Sequence, residues 1–60
     1  MKINPDDANA QANLGSALAA LGQLNEAKFH YEAALRIDPS NQLARDNLQE
    51  LERLRKEAQH

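Results

Sequence analysis

Catalysis needs groups that converge, such as a nucleophile beside a base, a pair of carboxylates, or a metal held at fixed ligand spacing. Few residues of this sequence qualify as candidates: His30 and His60, the carboxylates Asp6, Asp7, Asp46 and Glu50, and the phenol of Tyr31. His30 follows Glu26 by four positions, which on a helix predicts an exposed polar residue, and no further ligand is spaced to complete a zinc site. His60 is the last residue of the sequence and is expected to lack order. The Asp6-Asp7 pair is better suited to capping a helix, and Asp46 with Glu50 fits a solvated helix face. Tyr31 falls in an apolar stripe, so packing is its expected role. Gly15 and Gly22 are too few and too far apart for a phosphate loop. No catalytic, cofactor-binding or metal-ligating residue is therefore assigned, and the chain is not expected to be an enzyme.

Composition narrows the partners. The 60 residues include seven basic and nine acidic side chains, interleaved, with a formal net charge of −2. Binding a phosphate backbone needs concentrated positive charge, and one Phe with one Tyr provides few surfaces for base stacking, so no nucleic-acid partner is expected. The absence of cysteine removes disulfides and thiolate metal sites. Met1-Lys2-Ile3-Asn4-Pro5 turns polar before an apolar run can begin, so no signal peptide is read there. No stretch approaches the roughly 18 apolar residues of a membrane span. No membrane partner is expected, and the cytoplasm is the default compartment. One small domain of this length buries only about 60% of its unfolded surface, which makes its stability marginal.

Internal repetition organises the rest. A shift of 34 superposes Ile3-Asn4-Pro5-Asp6 on Ile37-Asp38-Pro39-Ser40, Ala10 on Ala44, and Asn13-Leu14 on Asn47-Leu48. The patterning predicts an all-α chain with helices over about 7–21, 25–37 and 41–57. In the first, Asp6 or Asp7 serves as cap, Ala10, Leu14, Ala17, Leu18 and Leu21 form an apolar face, and Gly22 ends the helix. The second is expected to start with Asn25 as cap and Glu26 in its first turn, to carry the stripe Leu24, Ala27, Tyr31, Ala34 and Leu35, and to close at Asp38-Pro39. So short a connection as Gly22-Gln23-Leu24 makes these helices antiparallel. The third is capped by Ser40 or Asn41, with Leu43, Leu48, Leu51 and Leu54 on its apolar face and Glu52 spaced to pair with Lys56.

Over Ala8 to Asn41 the sequence resembles the tetratricopeptide repeat (TPR) family, whose 34-residue unit is helix, turn, helix. The resemblance rests on Asn13-Leu14-Gly15, Leu18, Gly22, Glu26-Ala27, Tyr31, Ala34-Leu35 and Asp38-Pro39. Gln11 departs from it, standing where the family often has tryptophan. The implied organisation is a tail of a preceding repeat or linker at 1–6, one repeat at 7–40, and a C-terminal capping helix at 41–60. Glycine inside a helix costs about 0.5–1 kcal/mol relative to alanine, so Gly15 must be offset by a close helix approach. Leu14, Gly15, Leu18, Leu24, Ala27, Tyr31, Ala34 and Leu35 are the expected packing core. One period on, Gln49 replaces Gly15, Glu52 replaces Leu18, Arg55 replaces Leu21 and Lys56 replaces Gly22, which is why the third helix reads as a polar cap.

Function follows as an implication of the resemblance: a protein-interaction or scaffolding module binding a peptide or protein segment on a concave face. The groove residues it carries over are Asn9, Ala12, Asn13, Ser16 and Ala20, continued on the third helix by Leu43, Asp46, Asn47 and Glu50. Asn13 matches a position where the family commonly has asparagine, whose amide both donates to and accepts from a peptide backbone. Members that clamp a terminal carboxylate use Lys and Arg at positions held here by Ala12, Leu43 and Asn47, so that mode is not expected. The alternative is a structural repeat fragment or engineered unit that self-associates, with no ligand of its own. The front of the first helix, with Ala10, Leu14, Ala17 and Leu21, would ordinarily meet a preceding repeat. Two chains could instead stack there, or exchange helices by straightening Leu21-Gly22-Gln23, giving a homodimer.

Overall fold

The computed structural model describes residues 7–58. They form three helices, α1 (Ala8–Ala20), α2 (Leu24–Ile37) and α3 (Gln42–Ala58), with no strand among the described residues. Each end has a local cause. Asp7 is extended, and its carboxylate accepts from the Asn9 amide over 2.9 Å, satisfying an otherwise unpaired donor of the first turn. The alternative cap, Asp6, lies outside the described residues.

At the other end of α1 the chain reverses through Gly22, whose φ of 83° is costly for any residue with a Cβ. Gln23 N–H donates to the Leu18 carbonyl (2.9 Å) and Gly22 N–H to that of Ala19 (3.0 Å), the paired closure typical of a left-handed helix end. Because this closure already uses Gln23, α2 starts at once. Leu24 is its first residue, Gln23 occupies the cap position without a side-chain bond, and Asn25, expected to be the cap, sits inside the first turn.

Asp38 is extended ahead of Pro39 and ends α2, its N–H still bonded to the Ala34 carbonyl at 2.9 Å. Its carboxylate accepts from Ser40 N–H (3.1 Å) and from the Ser40 hydroxyl (2.7 Å), which tightens the turn. That leaves Asn41 as the cap of α3, where Oδ1 accepts from Ala44 N–H at 2.8 Å.

The interior consists of two small clusters. Ala8, Ala12, Ala34 and Ala44 are buried together, with Leu35 against them. Ala27, Tyr31 and Leu51 form the second, bordered by Leu18, Ala19, Leu24 and Leu48. Of the expected core, Gly15, Ala27, Tyr31 and Ala34 are buried, and Leu18, Leu24 and Leu35 are half-buried. Leu14 is not part of it, being 38% exposed. The face of α1 that turns inward runs through Ala8, Ala12 and Gly15, because a close approach of two helices selects small side chains over large ones. On α3, likewise, Ala44 and Leu51 are buried while Leu43 and Leu54 face outward. Glu52 meets Lys28 of α2 at 3.5 Å instead of Lys56, an exposed pair worth about 0–1 kcal/mol that ties α3 to α2.

Candidate functional site

Asn9, Asn13, Ser16 and Ala20 recur at intervals of 4, 3 and 4, which places them on one stripe of α1. One 34-residue period later, Leu43, Asn47, Glu50 and Leu54 form the matching stripe of α3. Two hydrogen bonds set these stripes side by side. Asn47 Nδ2 donates to the Ser16 hydroxyl (3.0 Å), and Asn41 Nδ2 donates to Asn9 Oδ1 (2.8 Å). The Tyr31 hydroxyl also donates to Ser16, at 3.3 Å, so one serine joins all three helices. Chain segments that share a bonded network of this kind hold their relative position more firmly than apolar contact alone would.

Not every expected groove residue reaches this face. Ala12 has no exposed surface, since it fills the alanine cluster with Ala8, Ala34 and Ala44, and a ligand cannot touch its methyl group. Asn9, Asn13 and Ala20 are exposed, while Ser16 and Asn47 are half-buried through their mutual bond. Asp46 and Glu50 are exposed, the first accepting from Gln42 Nε2 at 2.8 Å, the second paired with Arg53. That hydrogen bond, with the charges of Glu50 and Glu57, raises the Arg53 pKa above its ordinary value, so the guanidinium is positive at every working pH. Leu54 was expected to pack inward, yet it is 42% exposed on this same stripe. The signal that could have found it is its place one period after Ala20.

The opposite side of α1 has a different character. There the His30 Nδ1–H donates to Gln11 Oε1 at 2.8 Å, and the His30 ring stands edge-on to Phe29 with centroids 5.2 Å apart. His30 is thus half-buried at a helix contact, not an exposed neighbour of Glu26, and Gln11 fills with an amide the place that a tryptophan often takes. Leu14, Leu21, Phe29 and Ile37 are all exposed, Leu21 by 72%. His60 lies outside the described residues. Among the described residues, no group of three or more His, Cys, Asp or Glu could hold a metal ion. No helix among them is long and apolar enough to cross a membrane.

An antiparallel helix pair closed on a small-residue contact, followed by a third helix in the register of the first, defines a helical repeat module. The tetratricopeptide repeat model matches residues 8–41, and the chain belongs to this family of protein-interaction modules. It is 37% identical, over 98% of its length, to part of the human (Homo sapiens) "Protein O-mannosyl-transferase TMTC1". It is 40% identical, over 88% of its length, to part of "Heat shock protein STI1" of Saccharomyces cerevisiae. The matched parts are 7% and 9% of those proteins, so the chain spans less than a tenth of either. No solved structure gives a significant match to it.

Proposed function

We propose that the chain binds a peptide or protein segment on the shared face of α1 and α3, with Asn13 as the principal hydrogen-bonding residue. The observation that carries this reading is the Asn47–Ser16 bond, which holds the two stripes together and leaves Asn13 and Ala20 exposed beside them. A face assembled in this way is set before any ligand arrives, so less ordering opposes binding. In this reading residues 7–40 are the working repeat, and α3 both supplies the second stripe and closes the stack as a cap. The transferase activity in one relative's name belongs to a protein of which the matched part is a small share.

The test is a titration of 15N-labelled chain with a degenerate mixture of capped octapeptides. Amide shifts confined to Asn13, Ser16, Asn47 and Leu54, and lost in Asn13→Ala, are the expected result. Shifts on α2 alone, or none, would show that this face is not the binding surface.

One set of observations favours self-association as a second reading. Leu14, Leu21, Phe29 and Ile37, on or just beyond α1 and α2, are exposed. One period after Ala10, Leu14 and Ala17 stand Ala44, Leu48 and Leu51, of which Ala44 and Leu51 are buried and Leu48 is half-buried against the second cluster. The equivalent α1 positions therefore lack the cover that α2 gives to α3. Sedimentation equilibrium decides the matter: a mass that rises with concentration, and falls back to monomer in Leu14→Glu, supports association through this edge.

A further inference from the structure

The structure assigns a partner chemistry to the α1–α3 face: an extended, positively charged segment carrying two apolar side chains. This rests on the binding reading above and specifies its ligand. Leu43 and Leu54 are 41% and 42% exposed on one stripe of α3. Eleven positions of helix separate them, about 16 Å at 1.5 Å per residue. An extended chain, rising about 3.3 Å per residue, covers that distance in about five residues. Two apolar side chains so spaced on a bound segment would each meet a leucine.

Charge decides what lies between them. Asp46 and Glu50 are exposed at consecutive turns of α3 between the two leucines, and carboxylates only accept hydrogen bonds. Neither stripe contains a Lys or Arg. Most cations of this half of the molecule lie off the two stripes: Lys28, Arg53, Arg55 and Lys56, with Glu52, line an open depression of about 620 Å³, and Arg45 borders a second one beside Leu35 and Glu52. Arg53 alone reaches back, to Glu50. A segment with lysine or arginine between two apolar residues therefore meets the exposed Asp46 carboxylate and that of Glu50, whereas an acidic segment meets like charge, with Arg53, already paired to Glu50, as the cation beside it.

The test uses the 60-residue chain and three capped peptides with two leucines five positions apart, the intervening residues carrying two lysines, two serines or two glutamates. Binding is followed by the amide shifts of Asn13, Asn47 and Leu54. The lysine peptide is expected to bind about fivefold more tightly than the serine peptide, with the margin shrinking at 1 M salt. In Asp46→Asn/Glu50→Gln the margin should vanish while helicity by circular dichroism is unchanged. If the serine or glutamate peptide binds equally or better through the same amides, the charge assignment is overturned and the face remains a binding face. If none of the three moves those amides, both the assignment and the binding reading fail.

Discussion

A Cβ placed on Gly15 would stand 2.7 Å from Cε1 of Tyr31. It would also lie 2.8 Å from Cδ1 of that ring and 3.1 Å from the Ala27 carbonyl oxygen. Two helix backbones have come together here, and the ring between them is fixed at its far end by the bond to Ser16. Gly15→Ala would gain about 1 kcal/mol of helix propensity. Against that, a methyl group forced on a ring and a backbone carbonyl costs about 1–3 kcal/mol. The expected net effect is a loss of about 1 kcal/mol, seen as a melting midpoint about 4–8 °C lower. An unchanged or raised midpoint would mean that the helices separate without penalty.

Gly22 should respond for the opposite reason. Nothing lies within 4 Å of its missing Cβ, but its φ is 83°. Gly22→Ala is thus a purely backbone effect, expected to cost about 1 kcal/mol. Asparagine tolerates that conformation better, so Gly22→Asn should cost less than Gly22→Ala in parallel urea titrations.

Asn41 makes two bonds, capping α3 through Ala44 N–H and reaching Asn9 across to α1. Asn41→Ala should lose about 1–2 kcal/mol, more than Asp7→Ala, whose carboxylate caps α1 alone. Equal losses in chemical denaturation would mean that the link to Asn9 contributes nothing.

Leucines of this chain should differ sharply. Leu51 is 1% exposed and is the one large side chain fully enclosed among the described residues; Leu21 is 72% exposed. Leu51→Ala is expected to cost about 2–5 kcal/mol, enough to unfold most of so small a domain, while Leu21→Ala stays within about 0.5 kcal/mol. Circular dichroism at dilute concentration separates the two.

A double-mutant cycle tests whether the shared face of α1 and α3 is braced. Ser16→Ala and Asn47→Ala, singly and together, should show a coupling of about 0.5–1 kcal/mol from their shared bond. Additive effects would mean that the stripes of α1 and α3 are held only by apolar contact.

The residue order alone sets most of the local structure. Capping side chains at Asp7 and Asn41, glycine after α1 and proline after α2 act within a few residues of themselves, and the observed helices differ from those expected by at most one residue at any end. The exception, the start of α2, arose where closure of one helix overlapped the opening of the next. The 34-residue period likewise carried α3 into the register of α1 and, through it, the family.

What packing alone decided is which side of each helix turns inward. Hydrophobicity singles out Leu14, Leu43 and Leu54, but those side chains are too large for crossings that pack Ala12, Gly15 and Ala44. With alanine spread around much of α1, its amphipathic signal is weak, and distance between backbones replaces it as the deciding quantity. The same choice withdrew Ala12 from the shared face of α1 and α3, placed Leu54 on it, and turned His30 to Gln11. Those pairings depend on partners 19 or more positions away or on a third helix, and no local spacing specifies them.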